Sequence, residues 1–230
     1  MTFLELCRNV APRCSVTGTI AGTVGQSGDH GRVVDKVNEA WLEIQGMSDV
    51  WRFMRQRFSF DTVIGKADYT VPLVTESIKA GGLESIRRYL FETNSVACWP
   101  QGNRAGRTFL GQWDFADFED AYVYADTQPG APSVFAVDED NTIWLGATPD
   151  AIYTISGKLQ LAATAMAAPA DVPGMPAEHH LAIAHLATMK LAADDNLPEV
   201  YGGASAAFDA SFGLMSRTLK DQLVWGGPLA

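Results

Sequence analysis

Two changes of hydrophobic period constrain this chain more than any other feature. In "RVVDKVNEAWLEIQGMSDVWRFM", residues 32–54, Val34, Val37, Trp41, Ile44, Met47, Trp51 and Met54 recur every three or four positions. That spacing is one face of an α-helix. The helix is expected to begin near Asp29, capped by Ser27 or Asp29, and to break or bend at Gly46, with Ser48 free to cap a second piece. At Phe58 the period falls to two: Phe58, Phe60, Thr62 and Ile64 alternate, followed by a Gly-Lys-Ala-Asp turn and then Tyr69 and Val71. This reads as a β-hairpin. Helical spacing returns after Pro173 and Pro176, in "AEHHLAIAHLATMKLAADD", and again after Pro198, where Tyr201, Ala204, Phe208, Phe212, Met215, Leu219 and Leu223 form one stripe.

Between the two changes, strands are expected at 84–92, 106–111, 132–138, 142–147 and 151–162. "VFAVDEDNTIWLG" reads as a second hairpin with an acidic tip, and "DFADFEDAYVYA" as one or two helical turns capped by Asp114. At the start, Phe3, Leu6, Cys7 and Val10 outline a short amphipathic helix that stops at Pro12, and a loop rich in Gly, Ser and Thr follows. The fold class is therefore α+β: a helical bundle made by the N- and C-terminal helices, with an antiparallel β domain inserted. The divisions fall at 1–57, 58–168, 169–223 and a flexible or docking tail at 224–230.

Composition narrows the function. Hydrophobic residues are 47% and charged ones 19% of 230, a globular balance long enough for a real core. The net charge of −10 argues against a nucleic-acid binder, since phosphate contacts need clustered Lys and Arg. Cys7, Cys14 and Cys98 are odd in number and hold no Cys-x-x-Cys pair, so plain thiols are expected rather than a disulfide framework or zinc ribbon. No run of about 18 apolar residues is present to span a membrane. "MTFLELCRNV" has Glu5 inside it and no basic start, unlike a signal peptide.

Four clusters imitate chemical sites. His179, His180 and His185 splay around their helix, because each residue advances about 100°, whereas zinc helices pair imidazoles at i, i+4. They read as surface or interface histidines. Gly18, Gly22, Gly25 and Gly28 lack the Lys of a phosphate-binding loop. "DEDN" at 138–141 lacks the Gly and closing Glu of a calcium loop. The carboxylates Asp114, Asp117, Glu119 and Asp120, with Trp113, Phe115 and Phe118, resemble a glycosidase pair and its aromatic platform. Acidic residues in a helix's first turn need no such reason. Arg52, Arg55, Arg57, Arg87 and Arg88 are the dense basic spots and read as surface or inter-subunit ion pairs. No enzyme, metal site or cofactor is expected.

The framework segments resemble the phage head-tail adaptor (head-completion, connector) proteins of tailed bacteriophages. The likeness lies in "MTFLELC", in "VVDKVNEAWLEIQGMSDVWRFMRQRFSFDTVIGKADYTVP", in "DFADFEDAYVYADTQPGAPSVFAVDEDNTIWLGATPDAIYTISGKL", and in the closing helices "MPAEHHLAIAHLATMKLAADDNLPEVYGGASAAFDASF". The Ala-rich 161–170 stretch and Gly202-Gly203 depart from it. The resemblance implies a structural virion protein, made in the host cytoplasm, that forms a ring of commonly twelve copies beneath the portal. It implies the portal protein as one partner and a tail nozzle, tail tube or stopper protein as another. The genome would pass through the ring without specific binding, which suits an acidic protomer. An apolar tail with Leu219, Leu223, Trp225 and Leu229 is the expected portal-docking segment. Arg52, Arg55, Asp138, Glu139 and Asp140 are the expected subunit or tail interface. Two rivals remain: another tail-side ring protein (stopper or tail terminator), or a carbohydrate-active β module built on residues 113–120.

Overall fold

The computed structural model describes residues 1–70, 86–90 and 95–220. It divides into two units, one formed by Met1–Met54 with Ala163–Ala230 and the other by Arg55–Ala162. The class is α+β.

The first unit is helical. Helix α1 (Phe3–Val10) opens with a reciprocal capping box between Thr2 and Glu5 and buries Phe3, Leu6, Cys7 and Val10. Helix α2 (Gly28–Gly46) buries Val34, Val37, Trp41 and Ile44 along the stripe read from the sequence. Ser27 holds its cap position but makes no side-chain cap bond. The C-terminal helices, His180–Asp194 and Pro198–Leu219, complete the unit, and the latter runs unbroken through Gly202-Gly203.

The helix His180–Asp194 is the hub, packing against α1, α2 and Pro198–Leu219. That position explains its composition: it buries Ile183, Leu186 and Leu191 together with Ala182, Ala184, Ala187 and Ala192. Small residues let helix axes approach closely, and a helix apolar over most of its circumference belongs in the middle. Its polar seam against α2 carries ion pairs, Lys190 with Glu39 (2.7 Å) and Glu43 (2.6 Å), and Lys36 with Asp194 (3.2 Å). Trp51 is fully buried in the same unit, its indole N–H donating to the Ile44 carbonyl at 2.8 Å.

The second unit holds two sheets. Strand β9 (Tyr153–Leu161) is the spine of the first: β1 (Arg55–Asp61) runs along one side, while β3 (Ile86–Tyr89) and β4 (Ala97–Pro100) share the other. Strand β5 (Thr108–Phe109) extends it beyond β4. In the second sheet the order is β2 (Asp68–Tyr69), β8 (Ile143–Gly146), β7 (Val134–Val137) and β6 (Gly111–Gln112). The β6–β7 pair is parallel, an exception to the antiparallel expectation. Between β6 and β7 lies helix α3 (Phe115–Phe118), capped by Asp114 and continued by a wider turn over Glu119–Val123. The helices His180–Asp194 and Pro198–Leu219 are α4 and α5.

Three sequence expectations change. The hairpin expected from Phe58 to Val71 does not form over its described part. Strand β1 pairs instead with β9 over seven residues, Tyr69 joins β8, and Val71 lies outside the described residues. A long ladder continued by Thr62 N–H to the Tyr153 carbonyl (2.7 Å) outweighs the local turn signal at Gly65. Strand β4, Ala97–Pro100, falls outside every expected strand range. The expected 106–111 strand is interrupted: Arg104–Gly106 is a 3-10 turn and two short strands follow.

Candidate functional site

Two charged surfaces stand out in the β unit. The first is acidic. Asp114, Phe115, Ala116, Glu119, Val137, Asp138, Glu139 and Asp140 line an open depression of about 680 Å³. Several of these carboxylates have local work. Asp114 accepts from the Ala116 N–H at 3.0 Å and so caps α3. Asp138 organises the β7–β8 turn: one oxygen accepts from the N–H groups of Asp140 (3.0 Å) and Thr142 (2.8 Å), the other from the Trp144 indole (3.0 Å). Asn141 takes the left-handed conformation the turn requires, at φ +61°. Glu119 accepts from the Tyr124 hydroxyl at 3.3 Å. The exposed Glu139 and Asp140 carboxylates have no cation partner among the described residues.

The second surface is basic and aromatic, and it lies on the outward face of the β9 sheet. Alternation along β1 buries Phe58 and Phe60 and leaves Arg57 and Ser59 outward; along β9 it buries Ile155 and Leu159 and leaves Ser156 and Lys158 outward. Arg57 stands directly across from Lys158. Trp99 on β4 shares that face, with the Arg104 guanidinium 5.6 Å from its ring centroid, and Arg107 sits 5.0 Å over Phe109. Depressions of about 430 and 160 Å³ run between these side chains. Nothing in the sequence periodicity marks this surface. Its members come from β1, β4, β5, β9 and the 104–107 turn, and only the strand register gathers them.

The histidines differ from the surface reading. His179 and His180 are buried, at 3% and 1% exposure, because α4 is enclosed by its neighbours. Each imidazole is engaged separately: His179 with the Thr218 hydroxyl (3.0 Å), His180 with the Met175 carbonyl and the Met1 amino nitrogen, His185 with Ser211. Burial is the leading cause that lowers the pKa of His180 and of His185 below the ordinary value. Among the described residues, no three His, Cys, Asp or Glu side chains converge as a metal-ligand set. The three thiols are free and buried.

A family model described as SU10 adaptor protein matches residues 1–230. The chain belongs to the SU10 adaptor family. It is thus a structural adaptor protein of phage. No curated protein matches the chain, and no helix among the described residues is long and apolar enough to cross a membrane.

The expected interface and docking residues are scattered through this adaptor. Arg52 is exposed in the 3-10 turn Arg52–Met54, and Arg55 begins β1 half-buried. Asp138, Glu139 and Asp140 come together with Asp114 and Glu119 around the acidic depression. Leu219 is 8% exposed at the last turn of α5. Leu223, Trp225 and Leu229 lie outside the described residues.

Proposed function

We propose that this SU10 adaptor joins head to tail in the virion. Its copies form a closed ring, twelve in number, beneath the portal; the ring extends the DNA channel and gives the tail nozzle, tail tube or stopper protein a surface to bind. The observation that carries this reading is the family match along the whole chain. The net charge of −10 supports a channel that genomic DNA crosses without being held, because a lumen that attracted phosphate would retard ejection.

Portal docking falls to the segment around Leu223, Trp225 and Leu229, rooted by Leu219 in the helical unit. An apolar, Trp-bearing tail is the kind of anchor that dominates binding energy. Arg52, Arg55 and the Asp138–Asp140 turn serve the subunit or tail interfaces. A closed ring needs two different faces on each protomer, and the β unit carries two of opposite charge.

The test is reconstitution. Tailless, DNA-filled heads incubated with the full chain should gain the ability to take purified tails, and the chain truncated after Gln222 should fold normally yet fail. Heads that take tails without the protein would overturn the reading. Equal activity of the truncated chain would remove the docking segment.

A further inference from the structure

The outward face of the β9 sheet costs stability as it stands. Arg57 and Lys158 are cross-strand neighbours, and like charges directly opposite destabilise a sheet. Neither has a carboxylate partner among the described residues, nor do Arg104 and Arg107, whose guanidinium groups lie over the Trp99 and Phe109 rings. This occurs in a chain with 27 acidic and 17 basic residues, where a carboxylate partner is statistically easy to supply. The nearest acid along β1, Asp61, is already taken by Gln101 (2.7 Å) and Thr154 (2.6 Å). The same unit also holds Glu139 and Asp140, exposed and equally without a cation partner among the described residues. The two surfaces therefore complement each other, yet among the described residues no ion pair joins them within one copy.

We propose that the basic-aromatic face of one copy, Arg57, Trp99, Arg104, Arg107 and Lys158, receives the acidic β7–β8 turn of the next copy, through Glu139 and Asp140. The contact rests on the ring reading above and names the two faces that build it. It is heterologous, each copy giving its turn and receiving its neighbour's, the geometry that closes into a ring when the rotation permits. Trp99 and Phe109 supply apolar area around the charges, and the opposed charges set register and partner choice. A second copy fits this face better than DNA, since the matching carboxylates are on the same chain and its net charge repels phosphate.

The test uses two charge-reversed full-length variants. R104E/R107E makes the face acidic; E139R/D140R makes the turn basic. All four residues are exposed and outside any internal ion pair among the described residues, so both variants should melt like the wild type by circular dichroism. Asp138 is left alone because it holds the turn. Ring density is then counted by cryo-electron microscopy at the portals of tailless heads. Each variant alone should lower ring occupancy at least about tenfold. An equimolar mixture should restore it, since each reversed face then meets a complementary turn.

Rings from either variant alone at wild-type occupancy would overturn this contact and leave the adaptor reading standing, as would a mixture of folded variants that forms none. R104E/R107E that assembles normally but loses retention of duplex DNA would assign the face to the genome instead. Bare portals with the wild-type chain would overturn the adaptor reading itself, and this contact with it.

Discussion

Asn38 and Met166 are locked together by a closed pair of hydrogen bonds, the side-chain amide of Asn38 donating to the Met166 carbonyl at 2.9 Å and the Met166 N–H returning to the amide oxygen at 2.9 Å. Seven residues further along α2, Gln45 repeats the arrangement with Thr164, at 3.0 and 3.1 Å. Two turns of helix bring both amides to one side. Together they satisfy the N–H and carbonyl groups of Thr164 and Met166, in a segment that belongs to neither helix nor sheet, while the Asp171 carboxylate holds the next two N–H groups, those of Ala167 and Ala168. Asn38→Ala and Gln45→Ala each strip a backbone N–H and carbonyl of partners. Each should cost about 1–3 kcal/mol in urea unfolding. A change below about 0.5 kcal/mol at both sites would show that water replaces the amides freely.

Gly157 faces Phe58 across the β1–β9 pair, and the Phe58 ring lies where a side chain would be: a Cβ added to Gly157 would come within 2.6 Å of it. Gly157→Ala should therefore destabilise by about 1–3 kcal/mol through overpacking. In a Phe58→Ala background the same substitution should cost much less, giving a clear coupling energy in a double-mutant cycle. Additive effects would mean the ring moves aside.

Acid should weaken the helical unit through His180 and His185. Both have folded-state pKa values below the ordinary 6.5, from burial first, with the Met1 amino group also acting on His180 and Arg13 on His185. Between the folded and unfolded values the unfolded chain binds more protons, so stability rises with pH there. The stabilisation is full above about pH 6.5 and declines as the pH falls toward the folded values. Urea midpoints between pH 5 and 7.5 should follow this slope, and His180→Gln with His185→Gln should flatten it. An unchanged slope in that double variant would assign the pH dependence to carboxylates.

The thiols should be inert in the folded protein. Burial raises Cys7 to about 12 and Cys98 to about 11, and it raises Cys14 as well, so little thiolate exists near neutrality. Alkylation at pH 8 should be slow on the native chain and reach all three thiols in denaturant. Rapid native modification of Cys98 would show that the β9 sheet opens locally.

The helical unit was readable because large apolar residues recur at helical spacing, and Trp41, Ile44, Phe208 and Met215 are buried as that spacing requires. The cap at Asp114 and the acidic turn at Asp138 were readable for the same local reason, since both depend on residues a few positions apart. Strand pairing was not. Arg55–Asp61 looked for its partner across the nearest Gly turn and found it about a hundred residues away in Tyr153–Leu161. The basic face followed β9, so it stayed hidden with it. The buried histidines were missed because their partners, Met1, Met175, Ser211 and Thr218, lie outside their own helix, and a helix's own pattern gives no account of its neighbours.

The most direct measurement is cryo-electron microscopy of the vertex of tailless, DNA-filled heads after incubation with the full chain. The account predicts a closed ring of density immediately below the portal, with the copy number read from its symmetry. Portals left bare at saturating protein would contradict it and move the chain to the tail side of the junction.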